Sequence, residues 1–420
     1  MPANLQDLLA QLDQRAPSVH IELGLDRVRR VLARLAPALD GARVITVGGT
    51  NGKGSTVAFL EAIAAAAGRR CLAYTSPHLI EFNERFRLDG QPLDDDTIAD
   101  ALTQVETARG EIALTWFEQV TLATLVMAGR LGPEWLLLEV GLGGRLDAVN
   151  VVDPDVAVIT SIGLDHQDWL GRTRAAIARE KCGIARAGRP VVVAERNLPR
   201  GMIQTLEQMG AEPRLAGRDL AWRWRGRRLE VRIGDRLYAE LQPSLSGAHQ
   251  AANVAAAMAA ALALEPALPE PVLATGVRRA RLPGRFQTIA EQPRVVVDVA
   301  HNPAAARVLS RQLRGLPRPR VAVFGAYADK DAAGMVRALR AQVDHWLLID
   351  LPGPRGRSAA ALLPPVAALV DAGRCEAVES ASAALARARS WCGPNGSVIA
   401  FGSFATAEAV VKAVQTEHRA

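Results

Sequence analysis

No apolar run reaches the ~18 residues that a helix needs to cross a bilayer, and residues 1–20 carry Asp7, Asp13 and Arg15 where a signal peptide would have an apolar core. The expected compartment is the cytoplasm, with no membrane partner. Cysteine is scarce: Cys71, Cys182, Cys375 and Cys392 stand far apart with no C-x-x-C pair, so neither a zinc site nor a disulfide framework is expected and all four read as free thiols. Internal repeats and low-complexity tracts are also missing, apart from an alanine-biased helix at 251–261. What remains is an ordinary globular composition, 49% hydrophobic and 22% charged over 420 residues, enough for two or three domains.

The chain is basic, with net charge +6 and a pI near 9.5. Trp222-Arg223-Trp224-Arg225-Gly226-Arg227-Arg228 mixes indole and guanidinium, as a nucleic-acid surface does. Residues 229–238 continue with alternating polar and apolar positions around glycine turns, however, so the segment reads as a solvent-faced hairpin and no nucleic-acid partner is expected. Polyanionic substrates such as ATP and carboxylates would account for part of the excess charge.

The stretch Val44-Ile45-Thr46-Val47-Gly48-Gly49-Thr50-Asn51-Gly52-Lys53-Gly54-Ser55-Thr56 joins a β-prone run to a glycine-rich loop and a helix predicted to begin at Ser55. Glycines let backbone N–H groups turn inward, the helix start adds its positive dipole end, and Lys53 supplies a cation for outer phosphates, so a nucleoside triphosphate is the expected guest. The loop departs from G-x-x-x-x-G-K-[ST] at two points: Val47 replaces the first glycine, and Gly54 separates Lys53 from Ser55. Ser55 or Thr56 can still offer a hydroxyl to Mg²⁺.

Strand-like runs at 44–47, 71–75, 135–140, 156–160 and 190–194 alternate with helical segments, one from 55 to about 67 and one at 174–187. Such fully apolar strands belong in a parallel sheet covered on both faces. A second series follows at 295–299, 321–325, 346–350 and 398–402, and Pro283-Gly284 marks a hinge between the two. The expectation is an α/β protein: a P-loop-containing doubly wound N-terminal domain over residues 1–282, and a smaller Rossmann-like C-terminal domain over 283–420. Ligands bind open α/β sheets at the carboxyl ends of strands, which predicts an active site where two such ends face one another.

Residues with chemistry fall at those ends. Glu139 closes an apolar strand, where an acid can hold or orient Mg²⁺ beside a triphosphate; by itself it would read as a loop contact. His166 and Asp168 follow the strand at 156–160 and are expected at the same edge, with His166 either structural or part of a second cation site. Asp298 and His301 end the first strand of the second series, with Asn302-Pro303 starting a helix; they read either as ribose or phosphate contacts or as a capped helix start with an exposed His301. Glu180-Lys181 reads locally as a solvated helical pair.

Together these segments resemble the folylpolyglutamate synthase and dihydrofolate synthase family, within the wider group of Mur ligases, over nearly the whole chain. The likeness rests on Gly49 to Ser55, Ser76-Pro77-His78-Leu79 with Glu84-Arg85-Phe86-Arg87, Leu114-Thr115-Trp116-Phe117-Glu118, the blocks 139–147 and 161–171, Glu180-Lys181-Cys182-Gly183-Ile184, Leu282-Pro283-Gly284-Arg285-Phe286-Gln287, and 298–303. It implies an ATP-dependent ligase in which a carboxylate takes the γ-phosphoryl group and the amine of L-glutamate displaces phosphate from the acyl phosphate. Gly52, Lys53, Gly54 and Ser55 would hold the phosphates. Two Mg²⁺ ions are implied, one on Ser55 and Glu139, the other on Ser76, Glu139 and His166, helped by a carbamylated Lys181; Lys53, His166 and Lys181 are the implied catalytic residues. Asn253, Arg285, Asp298 and His301 are implied for the nucleotide, although Ala304 stands where many relatives have His. Ile21, Glu22 and Leu23, Thr115 to Glu118, and Leu146, Asp147 and Ala148 resemble the pterin-binding residues of relatives acting on dihydropteroate, so activity on both dihydropteroate and tetrahydrofolate is implied, in a monomer. A Mur-type cell-wall amino-acid ligase is the alternative.

Overall fold

A computed structural model describes residues 4–18 and 20–419. The chain divides into two compact units, Met1–Leu282 and Pro283–Ala420. The first is built on an eight-stranded sheet ordered Gln91–Pro92, Phe86–Leu88, Cys71–Tyr74, Trp135–Glu139, Arg43–Gly48, Val156–Ile159, Pro190–Val193, Glu212–Leu215. Phe86–Leu88 pairs antiparallel with both of its neighbours, and the six strands from Cys71–Tyr74 onward are parallel. The chain leaves the central strand Arg43–Gly48 toward one side and later returns to the other, which makes its carboxyl end a topological switch point.

The apolar runs are continuous because each strand feeds two cores. Leu136 and Leu138 face one cluster with Leu72, Tyr74, Ala157 and Ile159, whereas Trp135 and Leu137 face another with Ile45, Val47, Ala73 and Val158. Side chains alternate across a strand, so a sheet covered on both faces needs apolar residues at every position. The largely buried helix Gln250–Leu264 packs in the second cluster with the helix Lys53–Ala66.

The segment expected as a solvent-faced hairpin is a three-stranded antiparallel sheet, Leu220–Arg225, Arg228–Ile233 and Arg236–Leu241. One face is covered: Leu220, Leu229 and Val231 are buried against the alanine-rich helix, and Tyr238 and Leu241 are buried on the third strand, which meets the helix Glu270–Arg279. Its arginines are partly neutralised within the sheet, since Arg223 and Arg225 both pair with Glu230, and the Arg196 guanidinium lies 4.1 Å from the Trp222 ring centroid.

The second unit carries a six-stranded sheet, Gln287–Glu291, Arg294–Val297, Ser397–Phe401, Arg320–Phe324, His345–Ile349 and Cys375–Val378, parallel except for the first strand. Pro303 sits in the first turn of the helix Pro303–Leu313, and Asn302 caps it by accepting the Ala305 N–H at 2.9 Å. The α/β class and the doubly wound parallel sheets agree with the sequence reading. Two helix limits do not: the helix after the glycine-rich loop begins at Lys53 rather than Ser55, and the helix from Arg174 stops at Cys182, five residues early, where the chain turns into Gly183. Among the described residues no helix is long and apolar enough to cross a membrane.

Candidate active site

Register places the candidate residues of the first unit along one sheet edge. Val47 pairs with Glu139, Gly48 with Ile159 and Tyr74 with Leu138, so the segments beginning at Gly49, Val140, Thr160 and Thr75 all leave the sheet on the same side. The loop after Gly48 is tied down from the neighbouring strand end. Thr160 Oγ1 donates to the Asn51 carbonyl at 2.7 Å, Thr50 N–H donates to the Ser161 carbonyl at 2.8 Å, and Asn51 N–H donates to Ser161 Oγ at 2.9 Å. Gly49 and Gly52 adopt φ of +143° and +92°, and a Cβ at these positions would lie 1.9 Å from Thr160 Oγ1 and 2.4 Å from Asn253 Oδ1. Only glycine fits there. No side chain caps the helix that follows, and its first turn carries no acid, so its positive end is left for an anion.

Lysine occurs only four times in the chain, and two of the four point at the same atom. Lys53 Nζ donates to the Gly49 carbonyl at 3.3 Å and Lys181 Nζ donates to it at 2.9 Å. The solvated Glu180-Lys181 pair expected from local pattern is therefore absent: Lys181 is only 4% exposed, while Glu180 pairs with Arg145 at 3.0 Å. Burial, reinforced by the Lys53 charge and opposed by Asp165 and Asp147, brings the Lys181 pKa down from 10.5 to about 7. At neutral pH a large share of this side chain is a free amine, the form that is nucleophilic.

Ser55 is buried at the head of the helix and receives Gln250 Nε2 at 3.4 Å; Gln250 Oε1 in turn accepts Asn253 Nδ2 at 2.8 Å. This chain brings Asn253 to the phosphate loop, and Gln250 is a member that the sequence did not single out. Glu139 is 5% exposed and its Oε2 accepts the Ser76 N–H at 3.1 Å. His166 begins the short helix Gln167–Leu170 with φ of 50°, its Nε2 3.9 Å from Asp165 Oδ1, while Asp168 is exposed. Among the described residues no three His, Cys, Asp or Glu side chains cluster as metal ligands. The donors at this edge are instead the Ser55 hydroxyl, Ser76 and the Glu139 carboxylate, hard oxygens of the kind Mg²⁺ takes.

The three blocks linked to pterin binding also meet. Arg27 pairs with both Glu22 and Glu118, the latter at 2.9 Å, and Gly24 N–H donates to the Leu146 carbonyl at 3.4 Å. Arg27 is a member that the sequence did not single out, since nothing in its neighbours marks it apart from other arginines. Thr115 and Glu118 form a reciprocal capping box at the start of the helix Trp116–Leu131. Glu118 is thus committed to Thr115 N–H, at 2.7 Å, and to Arg27. Glu118→Ala is expected to lower stability by about 1–3 kcal/mol through loss of the cap and of a buried charge partner, read as a lower urea midpoint at constant m-value. An unchanged midpoint would leave the carboxylate with no structural duty.

Trp116 and Phe117 stand at the same helix start. Trp116 meets Phe82 edge-on at 5.7 Å between centroids, and Phe117 lies 6.1 Å from Tyr74 and close over Gly141. Asp147 closes the Gly141–Asp147 turn by accepting Leu142 N–H at 2.7 Å and Val149 N–H at 3.1 Å. Burial raises its pKa to about 6 against the pull of those N–H groups.

In the second unit, Asp298 Oδ2 accepts Phe286 N–H at 2.9 Å and Oδ1 accepts Ala300 N–H at 2.8 Å. Burial raises the Asp298 pKa and the Arg285 charge lowers it. The Arg285 guanidinium lies 5.4 Å from the Phe404 ring centroid, and the His301 ring 6.3 Å from the same ring, with Nδ1 3.0 Å from the Val299 carbonyl. Arg285, Asp298 and His301 therefore form one group around Phe404. His301 is partly buried rather than merely exposed.

Residues 47–261 match the Mur ligase middle domain and residues 284–404 the Mur ligase glutamate ligase domain. The dihydrofolate synthase/folylpolyglutamate synthase of Escherichia coli K12 is 39% identical over 400 residues, which cover 94% of this chain and 92% of that protein. A solved structure of E. coli FolC in complex with DHPP and ADP superposes with a TM-score of 0.93 at 38% identity, covering 99% of both chains. A structure of a bifunctional folylpolyglutamate synthase/dihydrofolate synthase with Mn, AMPPNP and L-glutamate bound superposes with a TM-score of 0.90 at 39% identity and covers 98% of each chain.

Proposed function

Because the chain belongs to the dihydrofolate synthase/folylpolyglutamate synthase family of Mur-type ligases, we propose that it joins L-glutamate to dihydropteroate, giving dihydrofolate, and to reduced folates such as tetrahydrofolate. It is an ATP-dependent, amide-forming ligase. The observation that carries the reading to the level of residues is Lys53 reaching back to the Gly49 carbonyl beside an uncapped helix start. Two anions, a carboxylate and a triphosphate, must approach within bonding distance in this chemistry, and fixed positive charge offsets their repulsion.

Lys53 and the N–H groups at the head of the helix hold the outer phosphates. A substrate carboxylate oxygen bonds to the γ-phosphorus as the bond to ADP breaks. The amine of glutamate then adds to the acyl carbon, phosphate leaves with the C–O bond, and the amide nitrogen loses a proton. Ser55, Ser76, Glu139 and His166 are the residues proposed to hold Mg²⁺ at two sites. The metal, when bound, withdraws charge from the phosphoryl group. Lys181 as an ammonium does not fit a cation site; as a carbamate, formed by attack of its amine on CO₂ with loss of a proton, it does. Asn253, Arg285, Asp298 and His301 are proposed for the nucleotide, and Ile21, Glu22, Leu23, Thr115 to Glu118 and Leu146 to Ala148 for the pterin. The protein is proposed to act in the cytoplasm as a monomer.

The purified chain with ATP, Mg²⁺ and L-glutamate should release ADP with dihydropteroate and with tetrahydrofolate, each substrate inhibiting turnover of the other. Failure of both substrates to give glutamate-dependent ADP release would overturn the proposal. Turnover of a UDP-linked muramoyl substrate in their place would favour a cell-wall ligase, the reading opposed by folate-enzyme relatives that align over 94% of the chain.

A further inference from the structure

Arg85 stands beside the Trp116 and Phe82 rings and has no part in the chemistry above. It ends the short helix Phe82–Arg85 and is 7% exposed. Its backbone is fixed, since its carbonyl accepts Thr75 N–H at 2.9 Å and the next residue, Phe86, pairs with Tyr74. Its guanidinium carbon lies 4.8 Å from the Trp116 ring centroid and 5.7 Å from that of Phe82, and Nε donates to His78 Nδ1 at 2.8 Å.

The other enclosed arginines are matched. Arg87, two residues on, is fork-bonded to the buried Glu61 at 2.9–3.1 Å, Arg27 has Glu118, and Arg320 is met by the Leu316 carbonyl and by Gln342. Arg85 forms no ion pair among the described residues; its side-chain polar partners are His78 and the Tyr74 hydroxyl beside it. Its neighbour Glu84 is taken up by the N–H groups of Leu79, Ile80 and Glu81. Burial works against the Arg85 charge, while Tyr74 and the Glu139 carboxylate are near enough to favour it. An enclosed guanidinium without a carboxylate costs the fold stability, and a planar fork with no carboxylate bound to it suits one that arrives from outside.

We propose that Arg85 binds the carboxylate of the pteroate substrate, holding it between the Trp116 ring, on which the aromatic part of the substrate rests, and the sheet edge that ends in Glu139. The assignment rests on the ligase reading and adds the residue that presents the carboxylate for phosphorylation.

Two ligands and two variants test it. With ADP present, binding is measured for dihydropteroate and for the analogue in which hydrogen replaces the benzoate carboxyl group. Wild type should bind the acid at least ~10-fold more tightly than the neutral analogue. Arg85→Gln should bind the two alike with ADP affinity unchanged, and Arg85→Lys should keep part of the preference. Equal binding of the two ligands by wild type would overturn the proposal even if the variants fail to fold, and so would a full preference retained in Arg85→Gln. If wild type does not turn over dihydropteroate at all, the ligase reading itself falls; if it does so without preferring the acid, only the role of Arg85 falls.

Discussion

Lys53→Ala is expected to lower kcat/KM for ATP-dependent ligation by about 10²–10³-fold while leaving the unfolding midpoint within about 0.5 kcal/mol of wild type. The side chain contributes little to the fold: its single hydrogen bond to the Gly49 carbonyl is 3.3 Å long, and the helix it begins depends on backbone geometry at Gly52 rather than on a side-chain cap. In the proposed reaction its charge would offset the negative charge gathering on the terminal phosphoryl group. The substitution also acts at a second point, because Lys53 is the next largest influence after burial on the low pKa of Lys181. Removing it should raise that pKa and reduce the fraction of Lys181 present as free amine. Steady-state kinetics alongside urea unfolding decide the matter; unchanged turnover would contradict the phosphate role.

Lys181→Met should cost at least as much, about 10³-fold, and should separate activity from stability in opposite directions. The folded-state pKa near 7 lies below the ordinary 10.5, so between these values the unfolded chain holds a proton that the folded chain does not. Wild-type stability therefore rises with pH through that window, and below about 7 the burden of a buried ammonium is complete. The window is best read between pH 7 and 8.5, below the range where the Cys182 thiol, pushed by burial up to about 12 from 9.0, brings in an opposing slope. In CO₂-free buffer Lys181→Met should be more stable than wild type at pH 7 and should lack the rise. If the side chain works as a carbamate, added bicarbonate should activate wild type, and short-chain carboxylic acids should partly restore activity to Lys181→Ala. Activity that is indifferent to both would remove the carbamate while leaving the lysine essential.

Why some of this was readable from residues and some was not follows from the range of the forces involved. The parallel sheets declared themselves because double-sided burial demands unbroken apolar runs such as Trp135-Leu136-Leu137-Leu138. The phosphate loop was legible because steric demands at Gly49 and Gly52 admit only glycine. Lys181 could not be read locally: its helix looks solvated, and what buries it is a carbonyl 132 positions away in sequence. Arg27 was hidden by composition, and Arg85 stood within the Glu84-Arg85-Phe86-Arg87 motif without a role of its own. In a chain with 46 arginines one more guanidinium carries no signal until the fold shows what faces it. The basic hairpin misled in part because its inward positions are interleaved with arginines, so that periodicity showed an alternating strand without saying what would cover it.

The division of each central strand between two cores sets how this protein can change. Side chains within one strand may trade size with neighbours on their own side, since Leu136 answers to Leu138 and Tyr74 but not to Leu137. A one-residue deletion in the same strand would send every following side chain into the wrong compartment and pull Glu139 back by about 3.3 Å from the edge where Val47 holds it. Substitution is therefore open to drift within these strands, while insertion and deletion are confined to the connections between them.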